Sequence, residues 1–375
     1  MFEDEDLMTK LQEYSYIPPR PLSIMEMIEC GSVEDPGNVY TEEESFMFLK
    51  KEVAVRIAHL IMILHQLPKD MRLEEACAET MIKYSNTFQE VMECEDLEAS
   101  DEVLQMFREK LFTFRRRHRN TNLELGQCCK AMACKIASSE EYTDKVTKVR
   151  IALDKFFTSR ISIHMITNYH LKLFADDRVQ FNDVGLIRPN CDIRSVLSDC
   201  VAEVTAHVEY EFMAAPRVDI KMYKNAKEIT EPVIGDLVPE HLSLIFKEIL
   251  KNSMRATVDH HFHDLENLPP VSAIICQADD EFTIKISDCG GGMDRKRAEK
   301  CFMYDYSTPS KYSDAELPGN GLPTARLYAR YFHGDIKMAS YEVRTKAYTV
   351  SLLYIQLTAI LGIRNRYIHL SQGCG

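Results

Sequence analysis

Apolar residues recur at spacings of three and four from Phe46 through Leu49, Val53, Ile57, Leu60 and Leu64, the period of a helix with one buried face. Thr41-x-x-Glu44 ahead of this run is a capping-box signature, and Pro68 beyond it is a stop. The same period returns at about Leu73 to Met92, Ser100 to Arg119 and Thr143 to Phe174, the last with Val149, Leu153, Phe156, Ile163, Ile166 and Leu173 as its stripe. Four long amphipathic helices with few strand signals between them predict a helical bundle.

After about Asp176 the pattern changes. Turn signals such as Arg188-Pro189-Asn190 appear, and short alternating runs mix with helices. Val271 to Gln277 and Phe282 to Asp288 flank a polar turn, and in the second run Phe282, Ile284 and Ile286 alternate with Thr283, Lys285 and Ser287 as a half-buried strand should. Ile336 to Ser340 and Ala347 to Leu353 read as two more strands, with helices between Pro239 and His260 and between Leu322 and Phe332. The expected architecture is α+β: a four-helix bundle over 1–178, an α/β sandwich with helices on one face of its sheet over 179–356, and a tail over 357–375.

Composition narrows the function classes. With 45 Lys and Arg against 58 Asp and Glu, the net charge of −13 argues against general nucleic-acid binding. The one basic knot, Arg115-Arg116-Arg117-His118-Arg119, reads as a solvated helix face or as a docking patch for an acidic partner. Twelve scattered cysteines lack zinc spacing and suit a reducing compartment. The acidic start MFEDEDLMTK shows no targeting presequence, and the most apolar run, Ala347 to Ile363, carries too many polar residues for a membrane span.

Candidate chemistry lies in the second half. Five of the 14 glycines fall between Asp288 and Gly321. Glycine lets a backbone approach a ligand and aim its N–H groups at phosphate oxygens. Asp288 ends a strand and precedes Gly290, Gly291 and Gly292, where a carboxylate can accept a hydrogen bond from an exocyclic amine such as that of adenine. Ser307 and Thr308 offer hydroxyls, and Gly319-Asn320-Gly321 runs into Leu322-Pro323, so that a helix N-terminus can face phosphates. Glu248, Asn252 and Arg255 recur at spacings of four and three on the helix that Pro239 opens. An Asn oxygen suits Mg²⁺, and a Glu one turn away can deprotonate a nucleophile. Each feature alone has a bland reading, as solvated surface or an ordinary turn; their order is what points to a nucleotide.

With KNSMRAT, SDCGGGM, YDYSTPS and GLPTARLYARYFHGD in this order, and PRPLSIMEMIECGS, ESFMFLKKEVAVRIAH and SRISIHMITNYHLKLF ahead of them, the chain resembles the mitochondrial pyruvate dehydrogenase kinase and branched-chain ketoacid dehydrogenase kinase family, closer to the former. That family belongs with DNA gyrase and the histidine kinases in the GHKL superfamily. The resemblance implies that the bundle docks the lipoyl domain of E2 and that a GHKL-type domain binds ATP and Mg²⁺ and phosphorylates a serine of the pyruvate dehydrogenase E1α subunit, inhibiting it. It implies Glu248 as base, Asn252 as Mg²⁺ ligand and Asp288 as adenine anchor. Arg255, Gly290, Gly292, Ser307, Thr308, Gly319, Asn320, Gly321 and Leu322 are the other nucleotide-site residues of this reading. A homodimer in the mitochondrial matrix is expected on the same ground.

The chain departs from the family pattern in four places. The glycine-rich lid is shortened to Leu317-Pro318-Gly319-Asn320-Gly321-Leu322, SYEVRTKAYTV keeps Thr345 without the last glycine box, Leu244 stands where a His is usual, and there is no Trp for the C-terminal element. These departures carry a second reading, a catalytically weak or inactive kinase-like scaffold that binds lipoyl domains or an active relative. A histidine kinase or simple ATPase fits less well, because His164 and His170 read as packing or surface residues on a bundle helix.

Overall fold

The computed structural model describes residues 5–31, 40–136, 142–175, 183–278, 281–304, 306, 321–340 and 351–357. The chain divides into two compact units, with the break between Ile187 and Arg188. Ser307, Thr308, Gly319, Asn320 and Thr345 lie outside the described residues, as do most of the expected strand Ala347 to Leu353 and the tail beyond Leu357.

The first unit is helical: α1 (Glu5–Ser15), α2 (Ile24–Gly31), α3 (Glu42–His65), α4 (Lys69–Arg72), α5 (Glu75–Met92), α6 (Asp101–Arg117), α7 (Thr121–Ile136) and α8 (Tyr142–Leu173). Helix α3 is central, packing against α1, α5, α6 and α8. Its stripe of Phe46, Leu49, Val53, Ile57, Leu60 and Leu64 is buried throughout, as the spacing demands. The capping box forms: the Glu44 N–H donates to Thr41 Oγ1 at 3.2 Å, and the Thr41 N–H donates to Glu44 Oε2 at 2.9 Å. Arg56, 1% exposed, ties α3 to α8 by donating to Ser162 Oγ at 2.8 Å, and its Nε donates to Glu52 Oε1 at 2.8 Å. A buried charge so paired and hydrogen-bonded is tolerated where a lone one is not.

The basic knot does not present a single solvated face. Arg115, Arg116 and Arg119 are exposed, but Arg117 turns to Glu90 at 2.6 Å, and His118 is fully buried. The His118 ring stacks on Tyr84 with centroids 3.9 Å apart, and its Nε2 lies 2.9 Å from Thr87 Oγ1. The helix ends at His118, and that residue's side chain goes into the core.

Two buried histidines make this unit acid-sensitive. Burial, with Arg160, Arg117 and Lys83 nearby, pushes His118 down to about 3; burial and Arg108 push His170 down to about 4. His170 also meets Ser45 Oγ through Nδ1 at 2.8 Å. Below the ordinary histidine value near 6.5, the unfolded chain binds protons that the folded one refuses. Their contribution is therefore full above that value and is lost as pH falls, by about 2 kcal/mol per histidine at pH 5. Urea midpoints measured between pH 7 and pH 5 should fall accordingly, less steeply in His170→Asn; a profile unchanged by that substitution would contradict the assignment.

The second unit contains β1 (Arg188–Asp192), α9 (Ile193–Phe212), β2 (Val218–Lys224), β3 (Lys227–Glu228), β4 (Ile234–Leu237), α10 (Pro239–His260), β5 (Val271–Gln277), β6 (Phe282–Asp288), α11 (Arg295–Lys300), α12 (Gly321–Tyr331), β7 (Asp335–Ser340) and β8 (Ser351–Leu357). Six strands form one sheet in the order β3-β2-β5-β6-β8-β7, with β2 and β5 parallel and the other pairs antiparallel; β1 and β4 pair separately. Helix α10 packs against α9, α12, β5 and β6. Its Leu242, Ile245, Phe246, Ile249 and Met254 meet Ala273, Ile275, Ile284 and Ile286 of the sheet in one apolar core. Arg326 in the middle of α12 grips Asp335 at the start of β7 by two hydrogen bonds of 2.6 and 2.9 Å, fixing α12 on the sheet. No helix among the described residues is long and apolar enough to cross a membrane.

Candidate active site

Strand alternation aims the first functional group. Phe282, Ile284 and Ile286 point into the core from β6, so Asp288, the next residue of that row, points the same way, toward α10. It is 4% exposed. Burial raises its carboxyl to about 6, against the pull of the Gly290 N–H, which donates to Oδ1 at 2.9 Å, and of the Ser253 hydroxyl. A buried carboxylate held by two donors is a poised acceptor for a neutral amine.

The turn after Asp288 lies along the end of α10. A Cβ on Gly290 would press into Ala256, reaching its carbonyl carbon at 2.8 Å, and Gly291 and Gly292 take positive φ of 80° and 66°. At the other end of the same helix face, a Cβ on Gly321 would overlap the Glu248 carboxylate. Glycine at this position brings the start of α12 against the Glu248 side chain without displacing it. Leu322, beside it, packs against the core of the unit. Helix α10 thus runs beneath the turn after β6 and the first residue of α12, with Glu248 at the α12 end and Ala256 and His260 at the β6 end.

Glu248 and Asn252 are half-buried and one turn apart. Lys251 Nζ donates to Glu248 Oε1 at 2.8 Å, while the Asn252 amide has no protein partner among the described residues. Arg255, grouped with these two by the helical period, goes elsewhere. It is 6% exposed and its guanidinium clasps Glu211 of α9, with Nε donating to Oε2 at 2.9 Å. Here it braces α10 against α9. No group of three or more His, Cys, Asp or Glu among the described residues forms a metal cluster.

The sequence reading passed over three neighbours. Lys251 could have been found by its spacing of three from Glu248. Ser253 is visible only once β6 is laid against α10. His261, just past the end of α10, has its Nε2 3.2 Å from the Cys289 carbonyl, to which it donates, tying the helix end to the glycine turn. His261→Leu should raise the KM for ATP severalfold with kcat at saturating ATP preserved, and His261→Gln, which retains a donor, should recover part of the loss. An unchanged KM in the Leu variant would remove His261 from the site.

A strand ending in a buried Asp, a glycine turn on a helix that carries Glu and Asn, and a second glycine segment opening another helix define a GHKL-type nucleotide-binding domain. Residues 237–358 match the model of the histidine kinase-, DNA gyrase B- and HSP90-like ATPases, and residues 21–188 match that of the mitochondrial branched-chain alpha-ketoacid dehydrogenase kinase. The chain is 33% identical to the pyruvate dehydrogenase (acetyl-transferring) kinase of Drosophila melanogaster over 90% of its own length and 82% of the relative's. It is 32% identical to isozyme 3 of that kinase from Homo sapiens over 89% and 82%, and 33% identical to the Ascaris suum kinase over 89% and 82%. The protein belongs to the mitochondrial pyruvate dehydrogenase kinase family.

Proposed function

We propose that the protein is an ATP-dependent serine kinase that phosphorylates the E1α subunit of the pyruvate dehydrogenase complex in the mitochondrial matrix and so inhibits it. The observation that carries the reading is α10 itself, which brings Glu248 to one glycine segment and Asp288 with its turn to the other. In the reaction, the serine oxygen attacks the γ-phosphorus of ATP, the bond to the β,γ-bridging oxygen breaks, ADP leaves, and the serine proton passes to Glu248. The chain's share is positioning and charge placement. Asp288 accepts the adenine amine, the turn at Gly290 and Gly292 leaves room for the ring, and Gly321 and Leu322 place the first N–H groups of α12 toward the phosphates. Lys251 steadies the Glu248 carboxylate.

Mg²⁺ fits this donor set. A single unpartnered Asn oxygen with no carboxylate cluster suits an ion that takes its other ligands from substrate phosphates and water. Asn252 would hold it, and when bound it neutralises charge on the phosphate oxygens.

The family membership of the helical unit supports docking of E2 lipoyl domains there. The same membership supports a homodimer, for which the sheet face carrying Thr283, Lys285 and Ser287 of β6 is the surface we favour. Sedimentation as a single chain at micromolar concentration would overturn that part. Incorporation of γ-phosphate into E1 tests the activity.

A further inference from the structure

Helix α6 carries a second feature, on its outward side. Phe112, Arg115 and Arg116 follow at i, i+3 and i+4, the spacing of one helical stripe, Arg119 lies in the turn just beyond the helix end, and all four are exposed, Phe112 by 55%. Several cations elsewhere on the described chain are paired: Arg108 with Glu42 at 3.0 Å, Lys110 with Glu93 at 2.7 Å, Arg117 with Glu90 at 2.6 Å, and Arg295 on α11 with Glu299 at 2.9 Å. Arg115, Arg116 and Arg119 make no ion pair among the described residues. In a chain of net charge −13, three exposed guanidiniums without an ion pair among the described residues stand within seven residues of an exposed Phe.

We propose that this stripe of α6 is a docking surface for an acidic segment of a partner protein. Charge complementarity selects the occupant. From Phe112 to Arg116 the stripe runs roughly 6 Å at 1.5 Å per residue, Arg119 adds a third guanidinium beyond the helix end, and guanidinium forks match carboxylates in a bidentate manner. Phe112 gives the segment an apolar anchor at one end, the arrangement of a binding surface with a charged rim. An anionic membrane fits less well, because the chain's net negative charge repels an extended surface of the same sign.

The test is binding of the full chain, without nucleotide, to purified pyruvate dehydrogenase complex by co-sedimentation and to a fluorescent Glu-rich peptide by anisotropy, at low and high salt. This readout needs no catalysis, so its outcome is separate from that of the kinase reading. The Arg115→Gln, Arg116→Gln, Arg119→Gln triple variant should bind about tenfold more weakly at low salt, the combined effect of three exposed pairs, and the difference should shrink at high salt. Phe112→Ser should weaken binding at both salt levels. A matched triple on α11, Arg295→Gln, Lys296→Gln and Lys300→Gln, should bind like the wild type.

Wild type that binds neither probe, or a triple variant that binds as well as wild type, would overturn the proposal. A triple variant with a lower melting temperature and intact binding would show that the arginines serve only the negative end of the α6 dipole. Loss of binding confined to phosphatidylserine vesicles, with both protein probes unaffected, would assign the stripe to lipid instead.

Discussion

Glu248→Gln should lower phosphate transfer to E1 by about 10²–10⁴-fold, the usual contribution of a positioned general base. Glutamine keeps the size of the side chain and an oxygen that can still accept from Lys251, but it cannot take the serine proton. The glycine contact at Gly321 is preserved, because the carboxamide fills the same space. Binding of Mg-ATP, measured by calorimetry on both proteins, should differ little. A variant that loses ATP binding along with transfer would show that Glu248 organises the site and would remove it as base.

Asp288→Ala removes an anchor from the other end of α10. A hydrogen bond to a charged group is worth about 1.5–3 kcal/mol, so Mg-ATP affinity should fall roughly 10- to 150-fold. The Gly290 N–H and the Ser253 hydroxyl also lose their shared acceptor, which loosens the turn. The same residue makes wild-type affinity depend on pH. Its carboxyl, raised to about 6 by burial, gains a proton as pH falls through that value and gives up acceptor capacity, so affinity should decline below about pH 6. Asp288→Asn should bind more weakly than wild type at pH 7.5 and with a flat profile. For folding the sign is opposite to that of the two histidines: the folded pKa lies above the unfolded one, so stability tied to Asp288 is present below about pH 4 and is lost as pH rises through about 6. Tight, pH-independent ATP binding by Asp288→Ala would sink the assignment.

Much of this was legible in local pattern. Strands β5 and β6 and helix α10 have the bounds that alternation, period and Pro239 suggest. In the first unit α3, α5, α6 and α8 follow their stripes to within a few residues of the expected ends. Helix α7 escaped because its Cys-rich stretch shows no clean stripe, and β2 escaped because its outer residues stay half-exposed on both faces, with burial at Met222 alone. Helix α9 carries buried residues at Val196, Cys200, Val204 and Val208, a stripe diluted by the polar residues between them.

The site was legible only as far as its geometry is local. Spacing placed Glu248 and Asn252 on one face of α10, but it could not place Arg255, because the partner that claims it, Glu211, sits on another helix. Likewise the partnership of Asp288 with Ser253 and the fit of Gly321 against Glu248 arise from packing between elements far apart in sequence. The basic run of α6 shows the same limit: charge alone could not say that Arg117 and His118 turn inward while Arg115, Arg116 and Arg119 stay out.

The most direct measurement is incorporation of labelled γ-phosphate into purified pyruvate dehydrogenase E1 by the wild-type protein with Mg-ATP, with Glu248→Gln as the blank. The account predicts serine-linked label on E1α, loss of E1 activity in step with it, and neither in the blank. ATP bound tightly by the wild-type protein with no label transferred, beside an active control kinase, would contradict it and leave a nucleotide-binding scaffold in its place.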